Sequence, residues 1–374
     1  MIRHKMPTTN QTARPELAAG AAELALRQTL GERIVVIDGA MGTTIRGYNL
    51  TEQDVRGERF KNAPKDLKNN GDIYSITRPT EIGDIHRRFL EAGADIIETN
   101  TFSRPPLDRA SSSSRSARKG RPQRPAFYQQ VIENKFLQEL AHDINFQSAR
   151  QGREWADRIA NATGRRRYVA GAVGPLTVSL SVSPDADDAG FRVITFDQVK
   201  ADYRRQLRSL IAGGVDLLLV ETIFDSLNAK AALVATQEVF AEDNIRLPIM
   251  ISAAVGRGGE TMISAQTIGA FWTAVHHVKP FSVGLNCSIG PDLMRPFLAE
   301  LSGKADTFVS CYPNAGLPNP LSPTGFDLGP TTWAASSGNS RKPASPTSSA
   351  AAAATHPNTS PPSRRPSRRS PRAR

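Results

Sequence analysis

Residues 215–242 read VDLLLVETIFDSLNAKAALVATQEVFAE. An aliphatic run at 215–221 ends on an acid, Glu221, followed by Thr222, and gives way to a helical pattern at 225–242. A near-continuous apolar run of that length suits a parallel strand buried on both faces. A carboxylate at its C-terminal end is costly to bury unless it contacts a ligand. Whether the chain repeats this strand–acid–helix unit decides the fold.

It does repeat it. Strand-like runs lie at 33–37 (RIVVI), 94–98 (ADIIE), 168–173 (YVAGAV), 247–253 (LPIMISA), 281–286 (FSVGLN) and 307–311 (TFVSC). Helical patterns separate most of them. The stretch 78–93 opens on a proline-led turn and closes at Gly93; 195–214 opens at Thr195 and stops at a double glycine. Further helices are expected at 264–278, 291–305 and within 130–160. Strand–helix alternation implies parallel strands joined by right-handed crossovers. Polar residues follow nearly every strand: Asp38-Gly39, Glu98-Thr99-Asn100, Gly174-Pro175, Glu221-Thr222, Ser252, Asn286-Cys287 and Asn314. An open sheet concentrates such residues at one switch point, whereas a barrel mouth gathers them from every strand end. The expected fold is therefore α/β, a (β/α)8 TIM barrel. Seven strands are identified, so it is incomplete at strand and helix eight.

Charge sets the boundaries. The net charge of +11 is concentrated in 103–126, which carries +6, and 331–374, which carries +8 without a single acid, so the remainder is mildly acidic. Both segments are Ser/Pro/Arg-rich text that cannot build a core. The chain divides into an N-terminal extension at 1–32 and a barrel at 33–330, followed by a disordered tail at 331–374. A helix at 15–33 within the extension covers the barrel's bottom, and a low-complexity insertion at 103–136 interrupts the barrel. With the basic charge outside the fold, a nucleic-acid partner is not expected. No apolar run reaches the roughly 20 residues that span a bilayer. Two cysteines and no secretory apolar segment fit the cytoplasm.

Candidate chemistry is sparse. DGAMGTT (38–44) matches neither a dinucleotide fingerprint nor a phosphate loop, and suits a tight turn near a small ligand. His86, His142, His276 and His277 fall on helical stretches away from the strand ends, with no zinc-binding HExxH spacing. Glu98 and Glu221 each end an apolar strand and read as ligand contacts. Cys287, in VGLNCSIGP (283–291), reads on its own as a metal ligand, a nucleophile or a small apolar filler.

Seven segments carry a resemblance: RIVVIDGAMGTTIRGYNL…RGERF, EAGADIIETNTFS, YVAGAVGP, DLLLVETIFDSLNAKAA, PIMIS, GLNCSIGP and PNAGLPN. In this order they resemble the homocysteine S-methyltransferase family, and within it the homocysteine-binding module of cobalamin-dependent methionine synthase. The resemblance covers 20–102 and 137–330. It implies a (β/α)8 barrel whose mouth holds zinc on three cysteine thiolates. The fourth tetrahedral position takes homocysteine as its thiolate, the nucleophilic form. That thiolate would attack the methyl group of methylcobalamin, held on a module absent from this chain; a folate-binding module is also expected in the full-length family. Cys287 aligns with the first zinc ligand and is the expected catalytic residue. Asp38, Gly39, Glu98, Glu221, Ser252 and Asn286 are the expected substrate contacts, with Glu221 on the ammonium.

Two departures follow. The family's other two ligands are adjacent cysteines in a GGCCG turn after strand eight, and no such turn occurs here. Five alanine codons, Ala350–Ala354, shifted by one base admit GGCCG as a reading, so a frame change explains the loss. Cys311 matches neither missing ligand. Residues 103–136 interrupt the passage from strand two to its helix, as a compensated frame change or a retained intron would. The expectation is a methyltransferase by descent that is inactive as written. The alternatives are a stand-alone enzyme using S-methylmethionine or betaine, and a non-catalytic fragment.

Overall fold

The computed structural model describes residues 20–39, 41–102, 125–316, 319, 326–329 and 351–353. The basic insertion up to residue 124 and nearly all of the tail lie outside them.

Eight parallel strands close into a ring in sequence order: β1 Val36–Ile37, β2 Ile96–Glu98, β3 Tyr168–Val173, β4 Leu217–Ile223, β5 Ile249–Ala253, β6 Ser282–Cys287, β7 Phe308–Pro313 and β8 Ala351–Ala353. The first seven coincide with the seven apolar runs. The described helices are α1 Ala21–Glu32, α2 Met41–Gly47, α3 Glu52–Arg56, α4 Tyr74–Thr77, α5 Pro79–Ala92, α6 Pro125–Glu133, α7 Lys135–Thr163, α8 Phe196–Ala212, α9 Ser226–Glu242, α10 Ile268–Val275 and α11 Pro291–Lys304. The fold is the expected TIM barrel, with its eighth unit reduced to a three-residue strand and no eighth helix among the described residues.

That strand lies within the segment read as a disordered tail, and it fills the eighth position that the sequence leaves empty. Ala351 and Ala352 pair with Ser310 and Cys311 of β7, and Ala352 and Ala353 pair with Val36 and Ile37 of β1. Ladder hydrogen bonds come from the backbone, so an alanine run with low strand propensity still serves once its neighbours fix its path. A second difference lies at 125–136, within the span read as insertion. There α6 forms and buries Tyr128, Val131 and Ile132, an apolar spacing that FYQQVI supplies.

Strand alternation sorts the core into two shells. Leu217, Leu219, Ile96, Ala170, Met250 and Tyr312 join the barrel interior, while Leu218, Val220, Ile97, Val169, Ile251 and Val309 pack outward against the helices. Helix α1 plugs the bottom as expected. Its Leu26 and Leu30 enter the inner shell beside Val35 and Phe281, and Arg27 lies over the Phe281 and Phe308 rings. Two buried acids clamp that end. Asp95 receives bidentate hydrogen bonds from Arg33 at 2.5 and 2.7 Å, adds Arg165 and Arg167, and accepts the Val36 amide at 3.0 Å. Asp216 repeats the device two units on, binding Arg153 at 2.5 Å and the Val169 amide at 2.8 Å.

A buried acidic cluster at the mouth of the barrel

The alternation that fills the interior also delivers the site. Continuing the inward positions of β4 past Leu219 brings Glu221 inside, and continuing β2 past Ile96 brings Glu98 inside. Met250 and Ser252 do the same on β5. On β6 the inward set is Ser282, Gly284 and Asn286, because Val283 and Leu285 face the helices.

Cys287 would face outward by this count, but the strand ends differently. Cys287 and Ser288 both take left-handed backbone, with φ of 52° and 55°, and Thr222 at the end of β4 has φ of 54°. Three non-glycine residues in this region are strained, a pattern that accompanies functional sites. The bend keeps Cys287 in the polar network instead of the helix layer.

Asn286 is the centre of that network. Its Oδ1 accepts the Ser252 hydroxyl at 2.6 Å and the Thr222 amide at 3.1 Å. Its Nδ2 donates to Thr222 Oγ1 at 2.7 Å and to Cys287 Sγ at 3.2 Å. Thr222 Oγ1 in turn donates to Glu221 Oε2 at 3.4 Å. On the opposite wall, Asp38 Oδ1 accepts the Glu98 amide at 2.9 Å, which ties β1 to β2. Gly39 follows in the turn before α2, half-buried.

Electrostatically the site is an acid held in reserve. Asp38 and Glu221 are 3% and 4% exposed, and Glu98 Oε1 is buried without a hydrogen-bond partner. Burial raises the Glu221 carboxyl to about 7. Burial also pushes Asp38 and Glu98 well above the carboxylate range, and the Glu221 charge adds to both shifts. Among the described residues no Lys or Arg is ion-paired with any of the three. Burial likewise lifts the Cys287 thiol to about 12, with the Glu221 charge second, so it is a neutral thiol at physiological pH.

All six expected substrate contacts and Cys287 lie at strand ends on this mouth. Two further residues belong with them. Thr222 bridges Asn286 to Glu221, and the threonine after each strand-end acid was the signal available for it. Tyr312 stands on the inward face of β7, its hydroxyl buried beside Ser252 and close enough for the charges of Glu221, Glu98 and Cys287 to act on it. Its cue is the parity of VSCYP, where Tyr312 and Cys311 must face opposite ways. Beside Glu221 a cleft runs between the ends of β3 and β4, lined by Gly174, Pro175, Tyr203, Phe224, Asp225 and Asn228.

The donor set does not fit a three-thiolate zinc. The chain has two cysteines. Cys311 packs against the helix-side core with its sulfur 3.6 Å from Met294 Sδ, on the other side of the sheet from the interior. Strand β8 is alanine. Among the described residues no three His, Cys, Asp or Glu side chains are placed to hold a metal ion. No described helix is long and apolar enough to cross a membrane.

A family model described as homocysteine S-methyltransferase matches residues 35–353. Among solved structures, the metallated form of the homocysteine methyltransferase MmuM from Escherichia coli is similar, with a TM-score of 0.59 at 18% identity. That match covers 90% of this chain and 97% of that one. The oxidized form of the same protein gives a TM-score of 0.62 at 17% identity over the same shares. These structural likenesses concern the fold.

Proposed function

The chain belongs to the homocysteine S-methyltransferase family, and from that premise we propose that its barrel mouth binds homocysteine as the methyl acceptor of methionine synthesis. The observation that carries this reading is the set of three buried carboxylates without a described cation. Such a set is stable only if protons or a ligand cation neutralise it. The ammonium group of an amino acid meets that need at Glu221, the buried acid whose pKa of about 7 lets it ionise at neutral pH. Amides near Gly39 and Ser252 are the candidates for the substrate carboxylate.

The methyl donor we assign is methylcobalamin on a separate module, with a folate-binding module in the longer family architecture. The RGERF (56–60) and NAGLPN (314–319) motifs support that branch. In the metal-bearing members of the family zinc would hold the substrate sulfur as its thiolate. Here the residues present do not supply its ligands, so no step runs through it. A free thiol has a pKa of about 8.5 and is mostly protonated at neutral pH. The polypeptide as it stands therefore binds the acceptor without activating it, and transfers no methyl group.

Calorimetric titration with homocysteine tests the reading. One site per chain is expected, weakened at least tenfold by Glu221→Gln because the buried countercharge is lost. No heat of binding, or an unchanged affinity in the variant, defeats it.

A further inference from the structure

We infer that this barrel does not select its amino acid by sulfur: it binds homocysteine and the methyl isostere norvaline with nearly equal affinity. The inference rests on the amino-acid-binding role proposed above and goes beyond it to specificity.

Discrimination is a difference between two binding free energies, and it arises only where a contact tells the two ligands apart. A thiol and a methyl group differ little in size. Strong preference for the thiol needs a partner for the thiolate, either a metal or a cation. The mouth offers neither among its described residues. The nearest sulfur-seeking group is Cys287, whose Sγ is occupied as an acceptor for Asn286 Nδ2 at 3.2 Å. Glu221, Glu98 and Asp38 are acids and offer a thiolate no positive charge. The second cysteine faces the helix layer beside Met294. The two further thiolates that the family would supply after strand eight have no counterpart, because the chain carries no third cysteine.

The features that remain recognise the other end of the ligand. Buried carboxylates suit an ammonium, which homocysteine and norvaline share. The end group of the side chain therefore makes no distinguishing contact. An apolar pocket gains little from either of two isosteres over the other, whereas a site built around a specific polar partner rejects the analogue lacking it by orders of magnitude. This site lacks the partner.

The experiment is a paired calorimetric titration of the full chain under reducing conditions with homocysteine and with norvaline. Each titration is run after EDTA treatment and again with added zinc, and zinc content is measured by mass spectrometry. The expected result is dissociation constants within threefold of each other in both conditions, and well below one zinc per chain. A preference for homocysteine of tenfold or more, or one tightly held zinc per chain, overturns the inference while leaving the amino-acid-binding role intact. If neither ligand binds in any condition, the proposed function itself fails and this inference with it.

Discussion

Asn286 uses both amide atoms twice, and that saturation makes it the residue on which the mouth depends. Asn286→Leu, close in volume, leaves the Ser252 hydroxyl and the Thr222 amide buried and unpaired. At about 1–3 kcal/mol for each orphaned group, a urea melt should show a loss of about 2–6 kcal/mol. His86 is a different kind of residue. It lies buried on α5 with neither ring nitrogen hydrogen-bonded, the packing role expected of a helix-borne histidine. Burial lowers its pKa from 6.5 to about 4. The unfolded chain therefore binds this proton more readily. The stability contributed by neutral His86 is complete above pH 6.5 and is lost as pH falls toward 4. The full swing is about 3 kcal/mol at roughly 1.4 kcal/mol per pKa unit. Stability measured from pH 7 to 4 should fall less steeply in His86→Leu than in the parent. Glu221 works in the opposite sense. Its raised pKa, about 7 against 4.5, means the folded state holds the proton longer. That contribution is complete below pH 4.5 and is lost as pH rises through 7. At pH 8 Glu221→Gln should be more stable than the parent in the absence of ligand, the reverse of its effect on homocysteine binding. A variant that is less stable at pH 8 would show that Glu221 is already neutralised by a partner.

At the scale of elements, the joints between strands decide both shape and tolerance. The end of β3 approaches the end of β2 so closely that a Cβ on Gly174 would stand 1.9 Å from the Phe102 carbonyl oxygen. Gly174→Ala should therefore lower the melting temperature by several degrees, equivalent to about 1–3 kcal/mol of overpacking. Strand β8 is the other sensitive joint. A chain ended at residue 330 leaves the edges of β7 and β1 unpaired, and unpaired edges template association. Light scattering and dye binding should both rise for that truncation. Equal solubility and melting would mean that β8 adds nothing to closure. Seven strands were legible because each is an apolar run bounded by a polar strand end. Strand β8 was not, because alanine carries no strand signal and its flanking text is low in complexity. Helix α6 was missed for a related reason. The basic run before it masks a short amphipathic pattern whose partners, α7 and α8, come later in the chain.

The whole molecule separates its duties between the two ends of the barrel. The bottom holds Asp95 and Asp216 in arginine clamps, while the mouth holds acids that no described arginine or lysine answers. Asp95→Ala should cost about 3–5 kcal/mol, since it leaves Arg33, Arg165 and Arg167 together without their shared acid. The surviving folded fraction should bind ligand with unchanged affinity by calorimetry. The mouth was largely readable from sequence: its acids, Ser252, Asn286 and Cys287 all sit at strand ends. Tyr312 was not, because only a fixed register shows which of two neighbours on β7 turns inward. The alanine strand has a consequence for how such a chain is judged. Ladder pairing is made by the backbone, so the ring closes here on a strand of alanine. Under the function proposed above, an elemental assay for zinc is the measurement that would tell this chain from a metal-bearing relative.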